Sequence, residues 1–236
     1  MYITIEKGNE VNSLYYLVMA QKKHILIDNK PFFYDAIEMT YDTVGSITHE
    51  QAKEILFFTK QLLDEKRIKF GLIYGTLLGA IREHDFIAHD YDVDIYTADI
   101  KDLLLATPYL YEKGLKLCRV NPNRLYSYMK DDVYIDIYIQ DKVPFPFNLW
   151  CYRVCNNIIP KKYLRKTEKI NFLGKEFCIP ANSEKLLEFL YGKTWRTPIV
   201  GDHGQGKGSV WLVFFLRKVK KNGSKFFQKL IKKLNE

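Results

Sequence analysis

Residues 70–96 constrain the chain more than any other stretch, because they combine an apolar run, a Gly-Thr turn and three alternating aspartates. The apolar run over 70–74 predicts a buried strand that ends at Gly75. Gly75 leaves room for a ligand to approach the backbone, and Thr76 can cap the turn that follows. Residues 77–82 then favour a short helix. We therefore expect a turn of phosphate size between the strand and the helix.

The aspartates of this stretch stand at alternate positions, as Asp90, Asp92 and Asp94. Because successive side chains of a strand point to opposite faces, this spacing places the three carboxylates on one face and Val93 and Ile95 on the other. Like charges at this spacing repel each other unless a cation is present. Beside a phosphate-sized turn the expected cation is Mg2+, with Mn2+ as the alternative, because it binds carboxylate and phosphate oxygens together.

Two other interpretations of the aspartate run stay open beside the metal site. A solvated strand end would need no cation, although the neighbouring strand, turn and helix make it the less favoured interpretation. A calcium-binding loop fails on register, since Ile95 stands where such a loop needs glycine and Lys101 stands where it needs glutamate.

A fourth aspartate lies in a predicted β-hairpin. The runs 124–130 and 133–140 are strand-like, and residues 131–132 between them are typical of a tight turn. Asp136 stands in the second run between isoleucines, where an aspartate costs folding free energy unless it is paired or bound to a ligand. A hydrogen bond to a neighbouring side chain would explain Asp136 structurally, and a metal or catalytic role would explain it functionally.

The positive charge of the chain is concentrated at its C-terminal end. The formal net charge is +8, and residues 217–236 alone carry eight Lys/Arg and one acid. A protein that grips nucleic acid spreads its charge over a folded face, so we expect no nucleic-acid partner. From residue 210 onward the apolar spacing is helical and lysines fill the other side. This pattern predicts a basic amphipathic helix that either packs on its own domain or lies on an anionic membrane surface.

Targeting signals and cysteines indicate the compartment. No apolar run approaches the roughly eighteen residues that span a bilayer, and the N-terminus lacks the pattern of a secretory signal. We therefore expect a cytoplasmic protein whose four cysteines are free thiols. Cys151 and Cys155 have no Cys or His partner at zinc spacing, which disfavours a metal role for them.

Further elements follow from local pattern. A capping box at the start of 48–66 predicts a helix with one apolar face. Residues 141–180 are rich in proline and aromatics and are expected to have little regular structure, apart from a hairpin over 171–180 that turns at 174–175. A further helix is expected over 182–190.

Two separated motifs resemble the signature of the LicD/fukutin family. The first is YGTLLGAIR at 74–82, followed by FIAHDYDVD at 86–94. The second, at 191–198, resembles the C-terminal motif of the family, with Tyr-Gly, a nearby Trp and a Pro. The chain departs from the family where Ala88-His89 replaces the usual Pro-Trp. The resemblance implies an α+β fold of nucleotidyltransferase-like type, a small mixed sheet flanked by helices, here with a basic amphipathic C-terminal helix.

The resemblance and the local patterns together predict the organisation of the chain. Alternating stretches predict a strand-rich N-terminal part (1–47), the resemblance predicts a LicD-like catalytic domain (48–209), and the helical spacing predicts a basic amphipathic tail (210–236). In nucleotidyltransferase-like folds a third carboxylate arrives on a strand beside the D-x-D strand, and Asp136 fits that position.

The implied activity is metal-dependent transfer of a phospho-alcohol, of phosphocholine or ribitol phosphate type, from a CDP-activated donor to a hydroxyl of a cell-surface glycan, with release of CMP. The metal ligands and catalytic residues by this resemblance are Asp92, Asp94 and Asp136, the last as a ligand or a general base. The substrate-binding residues are Gly75, Thr76, Arg82 and Asp90.

The implied partners are a CDP-alcohol, a glycan acceptor that can be lipid-linked, and an anionic membrane surface bound through residues 217–236 at the inner face of the membrane. Two alternatives stay open at this point. One is a nucleotidyltransferase that transfers NMP and releases pyrophosphate. The other is a catalytically inactive protein that binds at a membrane surface.

Overall fold

The structure, a computed structural model, describes residues 21–37 and 47–198, except for residues 89, 91 and 146. Outside the described residues lie residues 1–20 of the predicted strand-rich N-terminal part, the histidine of the motif and the basic tail at 210–236. Among the described residues, none of the helices has the length and apolar character that crossing a membrane requires.

Eleven strands and five helices make up the described part. In chain order they are β1 (Gln21–Ile27), β2 (Lys30–Ala36), α1 (His49–Glu65), β3 (Gly71–Leu72), α2 (Tyr74–Arg82), β4 (Val93–Thr97), α3 (Ile100–Glu112), β5 (Lys116–Asn121), β6 (Leu125–Lys130), β7 (Val133–Lys142), β8 (Cys151–Val154), β9 (Asn157–Pro160), α4 (Lys161–Leu164), β10 (Thr167–Phe172), β11 (Lys175–Pro180) and α5 (Ser183–Tyr191).

A mixed sheet with the strand order β3-β4-β7-β6-β5 forms the centre of the fold. The β4–β7 pair is parallel, and the β3–β4, β6–β7 and β5–β6 pairs are antiparallel. The β8–β9 hairpin joins the far end of β7. The α+β class with helices beside a small mixed sheet is therefore confirmed.

The sheet has one apolar face and one face with buried polar groups. On the apolar face, Ile135 and Ile137 are fully buried and α1 packs against β7. Thr107 of α3 bonds to the Tyr128 hydroxyl over a distance of 2.8 Å on the same side. The opposite face carries Asp136, which is 1% exposed. The alternation predicted for β7 thus separates its core-forming isoleucines from its carboxylate.

Helix α1 matches its prediction closely. The Thr48 hydroxyl accepts a hydrogen bond from the Gln51 backbone, and the Gln51 side chain accepts one from the Thr48 backbone, so the capping box is present. The predicted apolar face is the buried one, and it consists of Ala52, Ile55, Leu56, Thr59, Leu62 and Leu63.

Hairpin turns are confirmed where two successive residues adopt left-handed backbone. Asp131 and Asp132 have φ values of 50° and 62° between β6 and β7, the geometry that a two-residue hairpin turn requires. The β10–β11 hairpin is also present, but its turn lies at Leu173-Gly174, one residue before the predicted position. Gly174 has a φ of +87°, which a glycine adopts without strain.

Two expectations from local pattern are wrong. Residues 141–180 are mostly regular, because β8 and β9 extend the pairing beyond β7 in spite of the flanking prolines. The strand expected over 70–74 covers only Gly71–Leu72, and the Gly-Thr turn is the first turn of α2. Ile73 is extended and donates its backbone N–H to the Asp94 carbonyl at 3.3 Å, so the chain passes directly from β3 into the helix.

Candidate active site

Three of the predicted carboxylates meet beside the start of α2. Asp94 and Asp136 are direct neighbours across the parallel β4–β7 pair. Asp92 precedes β4, which begins at Val93, so Asp90 and Asp92 lie on the connection into the strand and not within it as predicted. Carboxylate oxygens of Asp92, Asp94 and Asp136 lie within 4.8 Å of one another. The fold thus brings together the three residues that the family resemblance assigned as metal ligands.

Gly75 forms the wall of this cluster. Its backbone N–H donates to Asp94 Oδ2 at 2.9 Å. A Cβ atom at this position would lie 2.7 Å from Asp90 Oδ2 and 3.2 Å from Asp94 Oδ2. The approach of the two carboxylates therefore requires glycine here, and the space that the sequence analysis assigned to a ligand is taken by the chain's own Asp90 and Asp94.

Thr76 and Arg82 occupy different places from those expected. The Thr76 hydroxyl accepts a hydrogen bond from the Asp94 backbone N–H at 2.8 Å, so it joins α2 to β4 and does not cap the helix. Arg82 lies at the other end of α2, about 10 Å along the helix axis from Gly75. Its guanidinium donates to the Trp195 carbonyl at 3.0 Å and to Glu83 at 2.6 Å. Arg82 thus secures the segment after α5 and is not brought to the carboxylates.

The Asp136 carboxylate is held by three neighbours that the sequence analysis did not select. Ser127 Oγ donates to Oδ1 at 2.6 Å, Arg119 Nη2 donates to Oδ2 at 2.6 Å, and the Tyr138 hydroxyl donates to Oδ2 at 3.3 Å. Arg119 Nε also donates to Ser127 Oγ at 2.9 Å. Strand register aligns Asp94, Asp136, Ser127 and Arg119 in one row across four strands.

Tyr74 fixes the start of α2. Its φ of +46° is left-handed, a conformation that costs a non-glycine residue about 1 kcal/mol or more. The Tyr74 hydroxyl donates to the Val154 carbonyl at 2.9 Å and accepts from Asn157 at 3.1 Å, and its ring packs edge-on against Tyr138. These contacts hold the backbone that aims the Gly75 N–H at Asp94.

Burial and mutual repulsion dominate the electrostatics of the cluster. Burial raises the pKa of Asp92 and of Asp94 well above the ordinary 3.8, and the neighbouring carboxylates raise both pKa values further. Burial also raises the pKa of Asp136, although the charge of Arg119 and the Ser127 hydrogen bond limit the rise. The single guanidinium of Arg119 cannot neutralise three carboxylates, so the cluster keeps an excess of negative charge when all three are ionised.

The donor set fits an oxygen-preferring divalent cation. The cluster offers carboxylate oxygens from three residues, two of them buried, and among the described residues no nitrogen or sulfur ligand joins them. Mg2+ and Mn2+ prefer such ligands, whereas zinc and copper sites favour imidazole and thiolate. The residues present therefore fit the predicted metal.

Arg119 is expected to act as a positioning residue whose loss costs folding stability. In Arg119→Met the buried Asp136 loses its charged partner, so we expect the free energy of unfolding to fall by roughly 1–3 kcal/mol. The measurement is urea denaturation at neutral pH. The matched control is Arg196→Met, because Arg196 and its partner Glu184 are 60% and 64% exposed and an exposed pair contributes under about 1 kcal/mol. Equal losses in both variants, or no recovery on adding Asp136→Asn to Arg119→Met, would contradict this role.

Comparison with known proteins agrees with the geometry. Residues 67–182 match the family model described as LicD/FKTN/FKRP, nucleotidyltransferase domain. This segment runs from the residues before β3 to the start of α5 and contains all the carboxylates described above. Residues 67–182 therefore form a nucleotidyltransferase domain of the LicD/fukutin family. The fold class is therefore that of the nucleotidyltransferase domain shared by this family.

Individual relatives are ribitol-5-phosphate transferases. The Homo sapiens protein named "Ribitol-5-phosphate transferase FKTN" is 29% identical over 172 residues, which are 67% of this chain and 36% of that protein. The Mus musculus protein of the same name is 30% identical over 168 residues, 65% of this chain and 35% of that protein. The chain therefore spans about a third of the length of the curated LicD/fukutin relatives it matches.

Two solved antibiotic-modifying proteins also align with the chain. The lincosamide adenylyltransferase LnuA has a TM-score of 0.42 at 13% identity, covering 60% of this chain and 85% of its own. The resistance factor ANT(2'')-Ia has a TM-score of 0.45 at 10% identity, covering 80% and 97%. Similarity at this level establishes nothing about the chemistry of the site.

Proposed function

We propose that this chain transfers a phospho-alcohol from a CDP-activated donor to a hydroxyl of a glycan and releases CMP. The observation that carries the proposal is the meeting of Asp92, Asp94 and Asp136 beside Gly75, within the segment that matches the family model. The names of the relatives favour ribitol phosphate over phosphocholine as the transferred group.

The three carboxylates would hold one divalent cation, Mg2+ or Mn2+. When bound, the cation supplies positive charge that offsets the charge of a donor diphosphate. Asp92 is partly exposed and so is the ligand nearest to solvent and to an entering donor. Asp94 is oriented by the Gly75 N–H and fixed to α2 through Thr76. Positioning and charge compensation account for most of the rate in phosphoryl transfer.

The hydrogen bonds of Asp136 favour a ligand over a general base. A carboxylate offers about four acceptor sites. Three of them are taken by Ser127, Arg119 and Tyr138, and the remaining site lies on Oδ1. A charged guanidinium on the carboxylate also lowers its tendency to take a proton. Asp136 therefore suits a fixed metal ligand better than a group that accepts the proton of a sugar hydroxyl.

The reaction products separate this proposal from NMP transfer. Incubation of the chain with CDP-ribitol and Mg2+ should release CMP and no pyrophosphate, with slow donor hydrolysis expected even without acceptor. CDP-choline under the same conditions tests the choice of alcohol, and CTP with ribitol phosphate tests nucleotidyl transfer. Release of pyrophosphate from CTP, with CDP-ribitol left intact, would identify a nucleotidyltransferase. Intact substrates in every arm, with metal bound, would favour a binding protein.

The basic tail supports a second part of the proposal, namely that the chain works at the inner face of a membrane. Each basic residue near an anionic surface contributes about 1 kcal/mol of attraction. The full-length chain should therefore sediment with vesicles rich in phosphatidylglycerol at low salt and be released as ionic strength rises. A version that ends at residue 209 is the comparison and should stay in the supernatant. If the full-length chain does not bind these vesicles at any salt concentration, the proposed membrane location is wrong.

A further inference from the structure

A groove lies at the open end of the β8–β9 hairpin, away from the carboxylates. It encloses about 490 Å3, within the roughly 300–1,000 Å3 of ordinary ligand sites. Its wall includes Trp150, Tyr152, Lys161, Lys162 and Arg165. We call it the Trp150 groove. Its size suits one or two ring-sized groups of a larger ligand.

The hairpin end gives this groove a flat aromatic surface. The Trp150 carbonyl accepts a hydrogen bond from the Lys161 backbone at 2.7 Å, which keeps these two residues side by side. Lys161 Nζ lies 4.9 Å from the centre of the Tyr152 ring, so Tyr152 orients the lysine. Trp150 itself is open to solvent, since 63% of its surface is exposed. An exposed indole offers a face on which the C–H side of a sugar ring can pack.

Positive charge surrounds the aromatic surface of the Trp150 groove. Among the described residues that line the groove, none is acidic. Within the part of the chain that the structure describes, Lys161, Lys162 and Arg165 form no ion pair with a carboxylate. Three cations beside an open indole complement a ligand that carries both an anionic group and an apolar ring face.

The distance to the carboxylates limits what this ligand can be. Tyr152 pairs with Lys142, which lies six residues beyond Asp136 on β7. At about 3.3 Å per residue this places the groove about 20 Å from the cluster. A donor held by the carboxylates does not reach that far, whereas an acceptor made of linked sugar rings can occupy both places.

We propose that the Trp150 groove binds the distal part of an acidic glycan acceptor, with a sugar ring on Trp150 and a phosphate or carboxylate group among Lys161, Lys162 and Arg165. This inference rests on the proposed function, because it assigns a place to the acceptor of that reaction. A membrane surface would also attract exposed aromatics and lysines, but a flat bilayer leaves a concave groove unfilled. The concavity therefore favours a chain-like ligand.

Direct binding tests this assignment without the transfer reaction. The full-length chain, held in chelator, is titrated with a phosphorylated mannose pentasaccharide, and binding is followed by tryptophan fluorescence and by calorimetry. The dephosphorylated pentasaccharide, inorganic phosphate, and vesicles of phosphatidylcholine and phosphatidylglycerol in equal parts are parallel probes. Trp150→Ala and Lys161→Gln/Lys162→Gln test the groove. Lys22→Gln/Lys23→Gln removes the same charge from exposed positions on β1 and is the matched control.

We expect the unmodified chain to bind the phosphorylated pentasaccharide. The affinity should fall at least about tenfold in both groove variants and stay unchanged in the β1 control. Equal binding by the groove variants would overturn the assignment, as would inorganic phosphate alone competing as well as the sugar. Loss of vesicle binding in the groove variants, with no sugar binding in any form, would assign the surface to a membrane instead.

The same titration separates this inference from the proposed function. The titration in chelator measures sugar binding at the groove alone, because no transfer occurs without the divalent cation. If the groove binds the sugar but the chain consumes no CDP-alcohol, the glycan site is supported and the proposed transferase function is contradicted. The opposite result is that both groove variants transfer ribitol phosphate from CDP-ribitol to a phosphorylated acceptor as fast as the unmodified chain does. That result would contradict the groove assignment and agree with the proposed transferase function.

Discussion

Asp92→Asn and Asp94→Asn should each lower the rate of phospho-alcohol transfer by several orders of magnitude while the protein stays folded. Each change removes a carboxylate that would hold the divalent cation, and such electrostatic contributions dominate phosphoryl transfer. Asparagine keeps the side-chain shape, and at position 94 its carbonyl oxygen can still accept the Gly75 N–H that lies 2.9 Å from the present carboxylate. The measurement is CMP release from CDP-ribitol under saturating Mg2+, together with a thermal melt.

Metal-free stability distinguishes this explanation from a simple loss of folding. Burial and like charges raise the pKa values of Asp92 and Asp94, so at neutral pH their ionisation opposes the metal-free fold. Each asparagine variant should therefore be at least as stable as the unmodified chain in chelator. Asp141→Asn is the control, since this carboxylate lies outside the cluster and pairs with Arg153. Unfolding of both variants, or turnover close to that of the unmodified chain, would show that these aspartates have a structural role only.

Removal of metal should make stability depend strongly on pH. Because the pKa values of Asp92, Asp94 and Asp136 are raised in the folded chain, the folded state binds more protons than the unfolded state. These extra protons contribute fully to the free energy of unfolding below the ordinary aspartate pKa of 3.8, and the contribution is lost as the pH rises through the raised pKa values. The free energy of unfolding in chelator should therefore fall from about pH 4 upward.

Addition of Mg2+ should reverse that fall and act most strongly at high pH, where the carboxylates carry no competing protons. At about a hundred times its Kd the ion would add about 2.7 kcal/mol. The comparison is the Asp92→Asn/Asp94→Asn double variant, whose melting temperature should depend less on pH and respond little to Mg2+. Identical pH profiles for the double variant and the unmodified chain would mean that the raised pKa values do not govern stability.

The carboxylates could be predicted from sequence because their signals are local. Alternation marked Asp90, Asp92 and Asp94, and an aspartate between isoleucines marked Asp136. The meeting of Asp94 with Asp136 is not local, because it depends on parallel pairing between β4 and β7, which α3, β5 and β6 separate in the chain. The family resemblance supplied that pairing, which the alternation of residues alone does not contain.

Arg119 and Tyr74 show why other parts of the site were not predicted. The register of β5 shifts between Leu117 and Arg119, so counting alternate residues along the strand does not place Arg119 next to Ser127 and Asp136. Tyr74 completes an apolar run that favours a strand, yet contacts with Val154 and Asn157 hold it at the start of a helix with left-handed backbone. Both placements come from tertiary contacts that no short window of sequence records.

A Mn2+ titration followed by electron paramagnetic resonance tests the central claim most directly, because it counts bound ions without donor or acceptor. The account predicts one tightly bound Mn2+ per chain, displaced by Mg2+, and no tight site in Asp92→Asn, Asp94→Asn or Asp136→Asn. Asp141→Asn should bind as the unmodified chain does. An unmodified chain that binds no Mn2+, or aspartate variants that keep the site unchanged, would contradict the assignment of these three carboxylates as a metal centre.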